Sequence, residues 1–331
     1  MNPVALLGLP ALEDELQRLE PLLVESVLTG DDFLDEVTTH LLAAGGKRLR
    51  PTLALATATS GSRPATREDL LGGVAVELVH LASLYHDDVI DEATIRRNVE
   101  SVNSRFGNLV AIVAGDFLLA RSAEIAAGLG TEIAQLLAAT LGDLCQGQVT
   151  EVHSAFQLSR SQDDYAVAIS GKTASLMAAS CRIGALTGGL ARPDVDAVTD
   201  FGRAFGMVFQ IRDDILDVIG TQATLGKPAG QDLAEGVYTL PVLIALDDPV
   251  LGADLRPLLG RPLASGERDQ ARAIVAGSGA IPQAVELARR YAADAVSALD
   301  GLPEALVEGL SSLAQSLVED LPTASALDIV G

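Results

Sequence analysis

The sequence predicts an all-α fold, a large helical bundle or an orthogonal-type array of helices, and three observations carry that expectation. Apolar residues recur at three- and four-residue spacing along most of the 331 residues. No stretch sustains the period-two alternation of a half-buried strand. The composition is 48% apolar but only 3% aromatic, so Ala, Leu and Val supply the core. That is enough apolar material for one large core, and no Pro/Gly/Ser-rich linker divides it. The chain therefore reads as a single domain over residues 1–331.

The elements follow in order. Leu6 to Leu28 reads as helix, with Pro21 opening a second segment, and Asp32 to Ala44 as an amphipathic helix stopped by Gly45-Gly46. Pro51 can open the next helix. Leu78 to Asp91 has no Gly or Pro and reads as helix. Val102 to Phe106 reads as a short connection. Asn108 to Ala127, Thr131 to Thr150 and Asp163 to Thr187 read as helices, the last with Gly171 as a kink. Asp200 to Ile219 is helical. Gly220 to Pro241 is the least helical stretch and the natural lid, because Gly-rich loops can close over a ligand. Ala/Leu/Val helices run from there to the end.

Charge and cysteine usage narrow the function. A formal net charge of −22 argues against nucleic acid or an anionic membrane surface as partner, so any anionic ligand must meet local cations or metals. Cys145 and Cys181 sit in Ala/Leu-rich helical stretches and read as small buried hydrophobes. Met1 to Pro10 has no basic segment or long apolar run, so no signal peptide is expected. Asp116 or Arg182 breaks the most apolar windows, so no membrane anchor is expected either. A soluble cytoplasmic protein follows from these readings.

The chemistry lies in acidic helices. Asp87 and Asp91 are four apart, one above the other on a helix, with Asp88 beside them. Like charges so placed destabilise a bare helix by roughly 0.2–0.5 kcal/mol, and a divalent cation converts that repulsion into coordination. The plainer alternative is an acidic helix end running into a turn. Recurrence disfavours it, because Asp213, Asp214 and Asp217 repeat the pattern on a second apolar helix. Two such helices facing each other across a cleft would hold several Mg²⁺ ions and an anion between them.

Cations stand at matching points. Gly45-Gly46-Lys47-Arg48-Leu49-Arg50-Pro51 offers backbone N–H groups and three cations, a cradle for phosphate oxygens. It lacks the spacing of a nucleotide P-loop. Lysine occurs only at Lys47, Lys172 and Lys227, each beside Gly, where a compact point charge reaches a phosphate that a planar guanidinium would not. Arg96 and Arg97 follow the first acidic motif closely enough to reach it. Gly202, Gly206 and Gln210 share a face with Asp213 and Asp217.

Taken together these motifs resemble the trans-isoprenyl (polyprenyl) diphosphate synthases, and most nearly the bacterial longer-chain members. The likeness rests on the Gly45 to Pro51 segment, His86-Asp87-Asp88-Val89-Ile90-Asp91, Arg96-Arg97, Gly171-Lys172-Thr173, Phe209 to Asp217 and Gly226-Lys227-Pro228. The resemblance implies an isoprenoid synthase bundle with a central substrate cavity. It also implies head-to-tail condensation of isopentenyl diphosphate with an allylic prenyl diphosphate. Mg²⁺ is the implied cofactor, at three ions per site, with Mn²⁺ able to substitute. Asp87, Asp91 and Asp213 are implied as direct ligands. Asp88, Asp214 and Asp217 stand close behind, partly through water, with Asp217 counted in the metal set. Lys172 joins the carboxylates as a catalytic residue. Arg96, Lys172, Thr173, Gln210 and Lys227 are implied to contact the allylic diphosphate, and Lys47, Arg50, His80 and Arg97 to hold isopentenyl diphosphate. A homodimer is implied by the resemblance alone.

Two positions depart from the family pattern: Val237, where a further Lys is frequent, and Asn98, where Gly is common. Val76, Val79, Ala82 and Ser83 would line the path of a growing tail below Asp87, and none is large. Along a path rising ~1.5 Å per residue this helix therefore blocks no long tail, and the resemblance implies an all-trans product of about six to ten isoprene units, suited to a quinone side chain. A floor supplied by Phe117 or Leu118 would instead stop growth earlier, as in a geranylgeranyl or farnesyl diphosphate synthase. A class I terpene cyclase is disfavoured by the scarcity of aromatic residues and the lack of Trp. A non-catalytic synthase subunit is disfavoured by the two intact acidic motifs.

Overall fold

A computed structural model describes residues 2–220 and 229–322. It is all-α apart from one two-stranded hairpin among the described residues. The helices run α1 (Pro3–Leu7), α2 (Leu12–Glu25), α3 (Asp32–Ala43), α4 (Leu49–Thr59) and α5 (Arg67–Ile90). The hairpin β1 (Ile95–Arg96) and β2 (Val99–Glu100) follows, then α6 (Val102–Phe106), α7 (Asn108–Leu129), α8 (Thr131–His153) and α9 (Gln162–Ile169). A π-helical turn, Ser170–Ala174, leads into α10 (Ser175–Thr187), and α11 spans Arg192–Ile219. Helices Gln231–Glu235, Leu240–Asp247, Leu251–Leu255, Ser265–Ala276, Ala280–Ser297 and Glu304–Glu319 complete the chain. Its contacts divide it into two compact units, with boundaries inside α8, at the start of α10, inside α11, just after the helix Ala280–Ser297 and inside the helix Glu304–Glu319.

The first unit comprises Met1–Leu141, Leu176–Gly202 and Leu299–Leu313. It is built on α5, whose Leu70, Val74, Val76, Leu78, Leu81 and Tyr85 are all buried. Such a helix, apolar nearly all round, is stable only when wrapped by others. Its start is fixed by a capping box, in which Thr66 accepts from Asp69 N–H and the Asp69 carboxylate accepts from Thr66 N–H at 2.8 Å. Tyr85 donates to Val37 O at 2.8 Å, tying α5 to α3, and Ser122 donates to Ala75 O at 2.7 Å, tying α7 to α5. Gly184 sets the approach of α10 to α4, since a Cβ there would lie 2.0 Å from Ala54 O.

The second unit comprises Gly142–Ser175, Arg203–Ala298 and Ala314–Gly331. Its core joins Tyr165 and Ile169 of α9 with Ile211, Ile215 and Val218 of α11. Leu243, Ile244, Ala284 and Val285 close it from the helices that follow. Gly206 brings α11 against the π-helical turn, where a Cβ would meet Ala174 Cα at 2.5 Å. No helix of the described residues is long and apolar enough to cross a membrane.

Several expectations need correction. Pro21 does not open a new segment; it lies inside α2, on the exposed side, while buried Leu12, Leu19 and Leu23 hold the helix through it. Residues 102–106 form a short helix rather than an irregular connection. Cys145 is exposed on α8, and only Cys181 is buried. Most of the expected lid, residues 221–228, lies outside the described residues.

Candidate active site

In the first unit the acidic motif closes α5. Asp91 is the C-cap residue, and its N–H donates to Asp87 O at 2.8 Å, preserving the one-turn spacing of the two carboxylates. Asp87 is half-buried and Asp91 exposed. Asp88 is different. It is fully buried, and its Oδ1 accepts from Arg96 Nε at 2.7 Å and Nη2 at 2.5 Å. Burial pushes its carboxyl above the usual range, and the Arg96 guanidinium opposes that shift. Arg96 is thus joined to the inner carboxylate.

The hairpin explains where Arg96 and Arg97 go. Arg97 and Asn98 both have positive φ, 52° and 63°, the pairing that a tight turn between twisted strands requires. Asn is the non-Gly residue that best tolerates this region, so Asn98 does what Gly does elsewhere. Arg97, on β1's far side, donates to Leu41 O and Gly45 O, and a Cβ on Gly46 would lie 3.0 Å from its guanidinium. The glycine pair therefore seats Arg97.

Around this stands a cationic cluster. Buried Glu77 accepts from Arg48 Nη1 at 2.9 Å, and Arg48 also grips Glu20 through Nε at 2.7 Å. Arg48 is consequently a structural cation and leaves the expected cradle. Arg50 is pushed down to about 10 by burial, with Glu77 opposing and Arg97 adding to the shift. Its Nε is buried with no hydrogen-bond partner among the described residues, a donor placed for an anion. His80, one turn past Glu77, is held well below its ordinary range by burial and then by Arg50, Arg97, Arg48 and Arg96. It is a neutral imidazole at pH 7. Lys47 is exposed. Of the expected tail-path residues, Val76, Val79 and Ala82 are buried, and half-buried Ser83 donates to His80 O at 2.8 Å. Leu118 is buried and Phe117 half-buried on α7.

In the second unit the acidic motif lies in the last two turns of α11. Asp213 is exposed, whereas Asp214 and Asp217 are buried. Asp214 Oδ2 accepts from Tyr165 O–H at 2.5 Å and its Oδ1 from Gln210 Nε2 at 2.8 Å; Gln210 Oε1 accepts from Thr173 O–H at 2.7 Å. Burial raises Asp214 to about 7 against the pull of those two bonds, with Asp213 and Glu151 adding to the rise. Lys172 pairs with Glu151. Lys172 and Thr173 stand on the π-helical turn, a feature that in helices marks functional positions. Gly147 and Gly171 make room for it: a Cβ on Gly147 would lie 2.4 Å from Lys172 N. Lys227 lies outside the described residues. Half-buried Val237 donates its N–H to Asp232 O at 2.8 Å.

The carboxylates fit magnesium. Mg²⁺ is usually bound by one or two carboxylates, water and substrate phosphates rather than by an all-protein cage. No cluster of three or more potential ligands is found among the described residues, and an acidic pair on each helix needs none. Sequence reasoning missed Glu77 and Tyr165. A charge inside the apolar run Val74 to Leu81 was the available signal for Glu77; Tyr165 carried none.

The architecture and these side chains define an all-α prenyltransferase. Residues 31–275 match the polyprenyl synthetase family model, across parts of both units. Heptaprenyl diphosphate synthase component 2 of Geobacillus stearothermophilus is 40% identical over 300 residues, 90% of this chain and 93% of that protein. The polyprenyl synthase of Caulobacter crescentus, crystallised with calcium and isoprenyl diphosphate, has 32% identity and a TM-score of 0.89, covering 96% of this chain and 98% of that one. A geranylgeranyl pyrophosphate synthase of Corynebacterium glutamicum, in a crystal with the same additions, has 39% identity and a TM-score of 0.82, covering 94% and 96%. The chain belongs to the polyprenyl synthetase family.

The His80 environment has a measurable consequence. Its folded-state pKa lies below the unfolded value near ~6.5, so the unfolded chain binds the extra proton first. The stability this contributes is complete above about pH 6.5 and is lost as pH falls, by up to about 1.4 kcal/mol per unit. Chemical denaturation between pH 6.5 and 5.5 should show a steeper loss in the wild-type chain than in His80→Gln. Equal slopes would contradict the assignment.

Proposed function

We propose that the chain catalyses Mg²⁺-dependent head-to-tail condensation of isopentenyl diphosphate with an allylic prenyl diphosphate, giving a medium- to long-chain all-trans polyprenyl diphosphate for a quinone side chain. The observation that carries this reading is the paired acidic motif whose inner member is held by the protein. Asp88 is bound by Arg96, and Asp214 by Tyr165 and Gln210. Asp87, Asp91 and Asp213 are then the direct metal ligands, with Asp217 close behind. Bound divalent ions supply Lewis-acid stabilisation of the departing diphosphate. The rest is the work of side chains. Lys172, Thr173, Gln210, Lys227 and Arg96 orient the allylic diphosphate. Arg50, Arg97, Lys47 and neutral His80 hold the second anion. Fixing both substrates supplies the proximity term, up to ~7–11 kcal/mol in ideal cases. The single-domain reading is supported by a family match that runs through both units.

The apolar face of α7, where Leu109, Ile112 and Val113 are exposed, supports a homodimer. A second reading is favoured by the Geobacillus relative, which is one component of its synthase. In that case the chain pairs with a different subunit. Activity and mass of the purified chain alone separate the two.

Asp87→Ala and Asp213→Ala should each lower turnover by several powers of ten, each power being about 1.36 kcal/mol of barrier, and chelation of Mg²⁺ should abolish it. Near-normal turnover by either variant at saturating substrate and metal would defeat the two-helix reading.

Product length is the finer part. Buried Val76, Val79 and Ala82 put only small and medium side chains on the turns of α5 before Asp87. Because no large side chain interrupts these turns, at ~1.5 Å of path per residue, nothing here stops a long tail, and chromatography should find products of about six to ten units. Phe at Ser83 or Ala82 should shorten them. A wild-type product of only fifteen carbons, or an unchanged distribution in both Phe variants, would exclude this tail path.

A further inference from the structure

Tyr165 stands on α9, seven residues before Lys172, and is 2% exposed. Its ring packs in the core with Ile211, Ile215 and Leu243, and the Arg160 guanidinium carbon lies 5.7 Å from the ring centroid. Arg160 is itself fixed by a bond from Nη1 to Tyr238 O at 3.1 Å. The phenol therefore has one place to put its O–H, and at 2.5 Å that place is Asp214 Oδ2.

The bonds beyond it have a direction. A phenol has one proton to donate, and here it goes to Asp214 Oδ2. With Oδ2 occupied by Tyr165, Asp214 offers Oδ1 to Gln210. Gln210 must turn its amide NH₂ toward Asp214, at 2.8 Å, and its carbonyl toward Thr173, which donates at 2.7 Å. The second Gln210 N–H then remains for a ligand oxygen.

We propose that Tyr165 is a positioning residue for the allylic-diphosphate site, acting through Asp214 to fix the orientations of Gln210 and Thr173. The inference rests on the reading that Gln210 and Thr173 meet that diphosphate. Packing alone asks only for the ring, which Phe supplies; the relay asks for the hydroxyl. Tyr165→Phe therefore separates the two.

The test is calorimetric binding of a non-ionising allylic thiolodiphosphate in saturating Mg²⁺, beside KM values for both substrates. Tyr165→Phe should bind the analogue about tenfold more weakly, the scale of one hydrogen bond to a charged group, while KM for isopentenyl diphosphate stays within about twofold. Because the effect runs through Asp214, the Tyr165→Phe, Asp214→Asn double variant should lose no more than the worse single variant. Unchanged analogue binding, equal weakening of both substrates, or losses that multiply in the double variant would each overturn the proposal. Should Tyr165→Phe not fold, fluorotyrosine can be placed at the four tyrosines of the wild-type chain. The Tyr165 resonance, assigned by comparison with the other Tyr→Phe variants, should then shift when the analogue binds. A resonance that does not move overturns the proposal. A wild-type chain that neither binds the analogue nor transfers a prenyl group defeats the proposed function itself, a result distinct from a wild-type enzyme indifferent to the hydroxyl.

Discussion

Carboxylates at the wrong end of a helix are the constraint on which this molecule turns. Asp87, Asp88 and Asp91 close α5, and Asp213, Asp214 and Asp217 occupy the last two turns of α11. A helix C-terminus carries partial negative charge, so an acid in the last turn costs about 0.3–1 kcal/mol, on top of the repulsion between neighbours. The chain offsets part of this itself. It buries Asp88 against Arg96, Asp214 against the Tyr165–Gln210 pair, and Asp217 against the Asp232 N–H. Under the proposed function, the remaining charge is what divalent cations would offset.

The cations obey a matching economy. In a chain of net charge −22, Arg48, Arg50 and Arg97 converge on Glu77. Burying such a group is costly unless its members are paired. Glu77 and Glu20 satisfy Arg48, backbone carbonyls satisfy Arg97, and the Arg50 Nε donor has no hydrogen-bond partner among the described residues. Burial, reinforced by the positive field, keeps His80 neutral.

Much of this was legible in the sequence because it is local. Helical periodicity gave the all-α class, the i,i+4 spacing gave the acidic motifs, and Gly171 marked a distortion that proved to be a π-helical turn. What escaped was set by tertiary contact. The hairpin holding Arg96 is only two residues per strand, too short for alternation to register. Arg48 looked like one of three cradle cations, and only the fold shows it turned inward to Glu77. Tyr165 is separated from Asp214 by 49 positions, and no spacing rule links them. Pro21 misled because an exposed proline can ride inside a helix that neighbouring leucines anchor.

The central proposal is that each acidic helix holds divalent cations that meet a bound diphosphate. Anomalous diffraction from a crystal of the full chain with Mn²⁺ and a non-ionising allylic diphosphate analogue tests it most directly. The account predicts Mn²⁺ peaks bonded to Asp87 and Asp91 and to Asp213, each also bonded to diphosphate oxygens. Peaks on one helix only, or a diphosphate bound with no metal between it and these carboxylates, would contradict it.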